Sequence, residues 1–182
     1  MRLLHEASTS KHACFITLTY DDDHYPPFGS LMKIDLRLFF KRLRKDSGVI
    51  GIKYYACGEY GEESDRPHYH AILFGLSDDY FDLYRPNPLS SIEASKALER
   101  LWPYGINSVD DFNYQTAAYT ARYVQKKLYG DDVTNYGLRT PPFQLCSKKL
   151  GLDFALANQD QIKRELNITI NGRNVGLLRV LS

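Results

Sequence analysis

The sequence predicts an α+β domain, an antiparallel sheet with helices packed on one face. Three observations predict it. Runs of β-branched and aromatic residues alternate with amphipathic stretches in the order strand, helix, strand, strand, helix, strand. The two middle strands are joined by a short polar loop, as in a hairpin. The chain of 182 residues is 43% hydrophobic and 25% charged, the balance of one globular domain with a real core.

The elements follow in order. KHACFITLTY (11–20) reads as the first strand and runs into the turn-like DDDHYPPFG. KIDLRLFFKRLRKDSG reads as an amphipathic helix in which Ile34, Leu38 and Leu43 mix with bases, and Gly48 stops it. VIGIKYYACGEY and HYHAILFG are the second and third strands, joined by Gly61 to Arg66. After a looser segment rich in Asp, Tyr, Pro and Asn, SSIEASKALERLW reads as a helix with a Ser cap and GINSVDDF as a short strand. QTAAYTARYVQKKLYG is an extra helix closed by Gly130, and NITING looks like a late hairpin. This βαββαβ order matches the ferredoxin-like, or split βαβ, arrangement, which places the first and third strands centrally. Such a scaffold is heavily reused and says little about function.

Bulk electrostatics exclude little. A formal net charge of +1 gives no case for a broad nucleic-acid footprint. Bases do concentrate at Arg37, Lys41, Arg42, Arg44, Lys45 and Lys53, against Asp46 alone, while Glu59 to Asp65 holds acids and no base. Cys14, Cys57 and Cys146 are widely spaced and form neither a zinc ribbon nor a disulfide framework, which suits a reducing compartment. No stretch is apolar enough to span a membrane and MRLLHEASTSKHA lacks a signal peptide's apolar core, so the expected location is cytoplasmic.

The stretch PHYHAILFG carries the first chemical signal. Side chains alternate along a strand, so His68 and His70 point one way and Tyr69 the other. If the hairpin pairs Tyr60 with Pro67, Glu59 lies opposite His68 on the same face, with cross-strand Cβ atoms about 4.5–5.5 Å apart. A register slip of one residue destroys the cluster. Two imidazoles and one carboxylate with open positions suit a catalytic divalent metal. The bland alternative is a structural histidine pair bonded to tyrosine and backbone. His5, His12 and His24 have no such partners and read as surface or loop residues.

The second signal is Tyr119 and Tyr123, four apart on one helix face. At about 100° per residue the apolar stripe is Ala117, Ala121, Val124 and Leu128. The tyrosines lie on roughly the opposite side, beside Lys126 and Lys127. They are either amphipathic surface residues or nucleophiles with lysines that hold phosphates.

Together, CFITLTY, CGEYGEESDRPHYHAILFG and AAYTARYVQKK resemble the three-motif pattern of HUH-superfamily rolling-circle replication initiators, most of all those of the microviruses, gokushovirus type. Thr17-Leu18-Thr19-Tyr20 matches the first motif, His68-Tyr69-His70 the second, and the Tyr119 and Tyr123 pair the third. The resemblance covers residues 5 to 152, and PPFQLCSKKLG also looks like a family segment. Family members are expected to extend further at both ends, so residues 1–182 read as a single HUH endonuclease domain, isolated or divergent. The resemblance implies that Glu59, His68 and His70 hold Mg²⁺ or Mn²⁺, and that Tyr119 or Tyr123 attacks single-stranded origin DNA to leave a 5′-phosphotyrosine. It implies phosphate contacts at Arg122, Lys126, Lys127, Thr19 and Arg42. With no GxxxxGK[ST] loop, unwinding falls to a host helicase and the host replication machinery.

Three other readings use fewer of these features. A non-catalytic module of RRM-like fold needs an aromatic stacking motif on the central strands, which ACFITLTY matches poorly. A hydrolase using water leaves the tyrosines idle. An HUH transposase or relaxase shares the tyrosine pair and differs in the surrounding motifs.

Overall fold

The computed structural model describes residues 2–84, 94–118, 120, 136–165, 167–170 and 173–176. In chain order these form α1 (Arg2–Thr9), β1 (Ala13–Tyr20), α2 (Lys33–Ser47), β2 (Lys53–Tyr60) and β3 (Pro67–Phe74). Next come β4 (Leu83–Tyr84), β5 (Ala94–Ser95), α3 (Lys96–Leu101) and β6 (Gly105–Asp111). Residues 114–118 and 120 are helical. The remainder is β7 (Phe143–Cys146), α4 (Leu152–Ala157), α5 (Gln159–Glu165) and the hairpin β8 (Asn167–Ile170) and β9 (Arg173–Gly176), where NITING predicts one.

The molecule is α+β, with a five-stranded antiparallel sheet in the order β6-β1-β3-β2-β7. The first and third strands are central, as expected, and the β2–β3 hairpin pairs Tyr60 with Pro67 and Glu59 with His68. The fifth strand, β7, falls in PPFQLC, which has no alternating pattern to announce it; it pairs Gly58 with Phe143 and Tyr55 with Cys146. A Cβ at Gly58 would stand 2.8 Å from the Phe143 ring, so only glycine lets that aromatic lie flat on β2.

Strand alternation divides the sheet into two faces. Ile16, Leu18 and Tyr20 of β1, Ala56 and Tyr60 of β2, and Tyr69, Ala71 and Leu73 of β3 join Leu36, Phe39, Phe40 and Leu43 of α2 and Leu98, Leu101 and Trp102 in the main core. The buried stripe of α2 is therefore 36, 39, 40 and 43, the i, i+3, i+4, i+7 set, while the predicted Ile34 and Leu38 are exposed. Each fully buried Leu or Phe of that stripe contributes about 1.5–3 kcal/mol by transfer from water. Gly48, at φ +64°, ends the helix as expected. α3 is shorter than SSIEASKALERLW predicts, because Ala94 and Ser95 pair with β4 first. Ser95 then caps it, accepting from the Leu98 N–H.

Helices are not confined to one face, contrary to expectation. Leu3 of α1, Ala117 and Leu150 form a second cluster with Phe15, Ile72 and Phe74 on the opposite side of the sheet. Buried Glu6 accepts from Lys53 Nζ of β2 and from the Gly151 N–H at 2.7 Å, tying α1 to the start of α4. His5 is likewise not a surface residue: it is 2% exposed and stacks on Phe154 at 4.4 Å between centroids. α1 is too short and too weakly capped to stand out in sequence; tertiary burial makes it a helix. Among the described residues no helix is long and apolar enough to cross a membrane.

Candidate metal centre

Glu59, His68 and His70 converge on the sheet face opposite α2 and α3, because β2 and β3 are paired in the register that puts Glu59 opposite His68. Glu59 Oε1 lies 3.2 Å from His68 Nε2 and 3.0 Å from His70 Nε2. One ligand atom from each residue can be chosen so that all lie within 4.8 Å of one another, the one such grouping of three among the described residues. Glu59 is 2% exposed and His70 8%, so the centre sits in the sheet surface with His68 as its wetter edge.

Each ring is held from behind. A carbonyl oxygen only accepts, so His68 Nδ1 donates to Arg66 O at 3.0 Å. A neutral His68 then turns its Nε2 lone pair toward the Glu59 carboxylate, an arrangement that a shared cation relieves. His70 Nδ1 meets the Thr17 hydroxyl at 2.9 Å, since Thr17 pairs with His70 across β1 and β3. Phe15, two residues earlier on the same face, stacks on the His70 ring at 5.1 Å. Sequence reasoning places Thr17 only within the first motif and passes over Phe15. Strand alternation from Thr19 back through Thr17 to Phe15 is the signal that finds both.

The electrostatics suit ligation. Burial alone would raise the Glu59 carboxyl, but hydrogen bonds and charge from His68 and His70 outweigh it and hold it at about 2. Burial lowers His70, with Glu59 only partly opposing. At neutral pH the centre thus presents an ionised carboxylate and a neutral imidazole, the forms that bind a divalent ion. The donor set, two imidazole nitrogens and a carboxylate with room for further ligands, fits a catalytic site for such an ion.

Tyr69 faces away, as alternation demands. Its hydroxyl accepts from the Met32 N–H at 2.8 Å and bonds to Tyr20 OH at 2.8 Å, and Tyr20 donates to Asp35. Burial pushes the Tyr69 phenol up to about 12. This network pins the two central strands to the start of α2 and leaves Tyr69 no part in the chemistry above it.

The other predicted site residues divide. Thr19 is opposite His68 on the ligand face, half-buried. Arg42 is not near the centre: it lies on α2, donates from Nε to Leu101 O at 2.8 Å and covers the Tyr104 ring. The remaining bases of α2 share that far face. Tyr119, Tyr123, Arg122, Lys126 and Lys127 lie outside the described residues. The residues before them are placed: Asn113 caps the helical stretch, exchanging hydrogen bonds with Thr116, and Gln115 and Thr116 border an open hollow with Phe15 and His70.

The family model for replication-associated proteins of the ORF2 type matches residues 13–128, which include both metal-ligand strands and both motif tyrosines. The chain is 36% identical to "Replication-associated protein ORF2" of Spiroplasma virus 4 over 173 residues, 90% of this chain and 53% of the relative. It is 33% identical to "Replication-associated protein VP4" of Bdellovibrio phage phiMH2K, over 72% of this chain and 44% of the relative. It is 31% identical to "Replication-associated protein ORF4" of Chlamydia phage 1, over 96% and 46%. The chain spans about half the length of these curated relatives, and no solved structure matches it. The chain belongs to this family of ORF2-type replication-associated proteins, the microvirus replication proteins that its motifs resemble.

Proposed function

We propose that this chain is an HUH endonuclease that nicks and rejoins single-stranded origin DNA to start rolling-circle replication. The observation that carries the reading is the convergence of Glu59, His68 and His70 donor atoms on one sheet face, beside the residues that lead into Tyr119. The strand order β6-β1-β3-β2, with α2 and α3 on one side, supports a ferredoxin-like core, the scaffold expected for this chemistry.

Glu59, His68 and His70 would hold Mg²⁺ or Mn²⁺, which when bound polarises a phosphoryl oxygen and stabilises charge on it. Thr17 and the Arg66 carbonyl keep the two rings aimed, and Phe15 shields His70 from water. The hydroxyl oxygen of Tyr119 or Tyr123 bonds to phosphorus as the bond to the 3′ oxygen breaks. The phenolic proton passes to solvent, and the 3′ oxygen leaves as a hydroxyl that primes synthesis. The phosphotyrosine keeps the ester bond for rejoining, and the second tyrosine can cut the next origin copy. Arg122, Lys126, Lys127 and Thr19 serve as phosphate contacts to a single strand; the far-side Arg42 is left out. The protein works in the bacterial host cytoplasm with a host helicase.

The test is a denaturing gel of the protein with labelled single-stranded DNA and Mn²⁺. The expected result is a covalent protein–DNA band that disappears with EDTA or His70→Ala and weakens with Tyr119→Phe or Tyr123→Phe. Cleavage without a covalent band would replace this reading with a hydrolase that uses water; binding indifferent to EDTA without cleavage would leave a non-catalytic module.

A further inference from the structure

The hollow bordered by Phe15, His70, Gln115 and Thr116 has a volume of about 410 Å³. That is toward the small end of the roughly 300–1,000 Å³ of small-molecule sites, room for one nucleoside and too little for a helix or a peptide strand. Phe15 offers an aromatic wall, and its ring is fixed by stacking on His70. Thr116 has spent its polar groups on the cap with Asn113. Gln115 is exposed, and among the described residues its amide makes no hydrogen bond. The wall is therefore apolar and flat, and the rim carries one donor and one acceptor side by side.

We infer that this hollow receives one unpaired nucleobase of the substrate strand next to the cleaved phosphate, and that Gln115 reads its edge. The inference rests on the nicking reading above for the identity of the strand. Its geometry is continuous with that site, since His70 both completes the candidate ligand set and borders the hollow. A base packed against Phe15 would take up the apolar wall by stacking, as single-strand binders do. A glutamine amide then pairs best with a base showing a donor and an acceptor together, adenine above all. The sequence preference at that position is set by a residue outside the histidine and tyrosine motifs.

The experiment incubates the full chain with a randomised pool of single-stranded oligonucleotides and sequences what is retained. One arm has Mn²⁺ and recovers covalent adducts; the other has EDTA and recovers strands bound without cleavage. Wild type, Gln115→Ala and Gln115→Glu are compared, the residue being exposed and its substitution safe for folding. The expected result is one position with a base preference of roughly tenfold or more in wild type, flattened by Gln115→Ala. Gln115→Glu shifts that preference toward cytosine, whose amino group a carboxylate accepts. If adducts form but all three proteins share one positional profile, the pocket inference is overturned and nicking stands. If the EDTA arm shows the Gln115-dependent position while no adduct forms, the pocket stands and nicking falls. If wild type retains no DNA in either arm, the pocket is overturned with the nicking reading.

Discussion

The hydrogen bond between Thr17 Oγ1 and His70 Nδ1 is a handle on the centre that leaves the candidate ligands in place. Thr17→Val keeps the β-branched shape and removes only the hydroxyl. With a divalent ion on Nε2, the His70 Nδ1–H would face a methyl group in a position only 8% exposed. Orienting partners of metal-bound histidines are worth 10–100-fold in affinity, or about 1.4–2.7 kcal/mol. Here the ring is also held by Phe15 at 5.1 Å and by burial, so the lower end applies and about a tenfold loss is expected. The assay is Mn²⁺ titration of the DNA-free protein by calorimetry, with His70→Ala as the variant that should lose binding. Mn²⁺ affinity within a factor of about two of wild type, alongside a silent His70→Ala, would refute the argument that Thr17 aims the ring.

Other expectations follow from the same geometry. Tyr69→Phe strands the buried Met32 N–H and should cost about 1–3 kcal/mol in urea unfolding while leaving Mn²⁺ affinity unchanged, because the phenol faces the other core. His5 is lowered by burial and by the N-terminal charge, so it is neutral in the fold and takes up a proton in the unfolded chain. Its contribution is present above the unfolded value near 6.5 and fades as pH falls below it, so thermal stability should drop more steeply toward pH 5 in wild type than in His5→Leu; parallel curves would remove His5 from the account. Gly105 has φ +146°, and a Cβ there would stand 2.3 Å from the Asp21 amide nitrogen, so Gly105→Ala should cost at least about 2 kcal/mol by chemical denaturation.

The hairpin is legible in the sequence because period-two alternation and a loop of fixed length leave one register that gathers Glu59, His68 and His70. The central strands are legible for the same reason. The α2 stripe is not: Ile34 and Leu38 are as apolar as Leu36 and Phe39, and only the angle at which the helix meets the sheet selects between them. α1 and β7 have no local signal, since eight residues without a cap and four residues after two prolines take their form from what they pack on. Arg42 shows the limit of charge clustering, since a base on α2 is on the wrong side of the sheet for these ligands. Thr17 and Phe15, by contrast, need only the alternation to be carried one strand further.

Strand β3 assigns its residues to two trades in strict rotation. His68, His70 and Ile72 face one way, Tyr69, Ala71 and Leu73 the other, and the two sets share no partner side chains in the hydrophobic clusters. A saturation library over Pro67–Phe74, sorted once for surviving heat and once for replicating DNA, should therefore yield two combs of intolerant positions offset by a single residue. Between His68 and Leu73, evolution can change the tools on one comb without touching the foundations on the other.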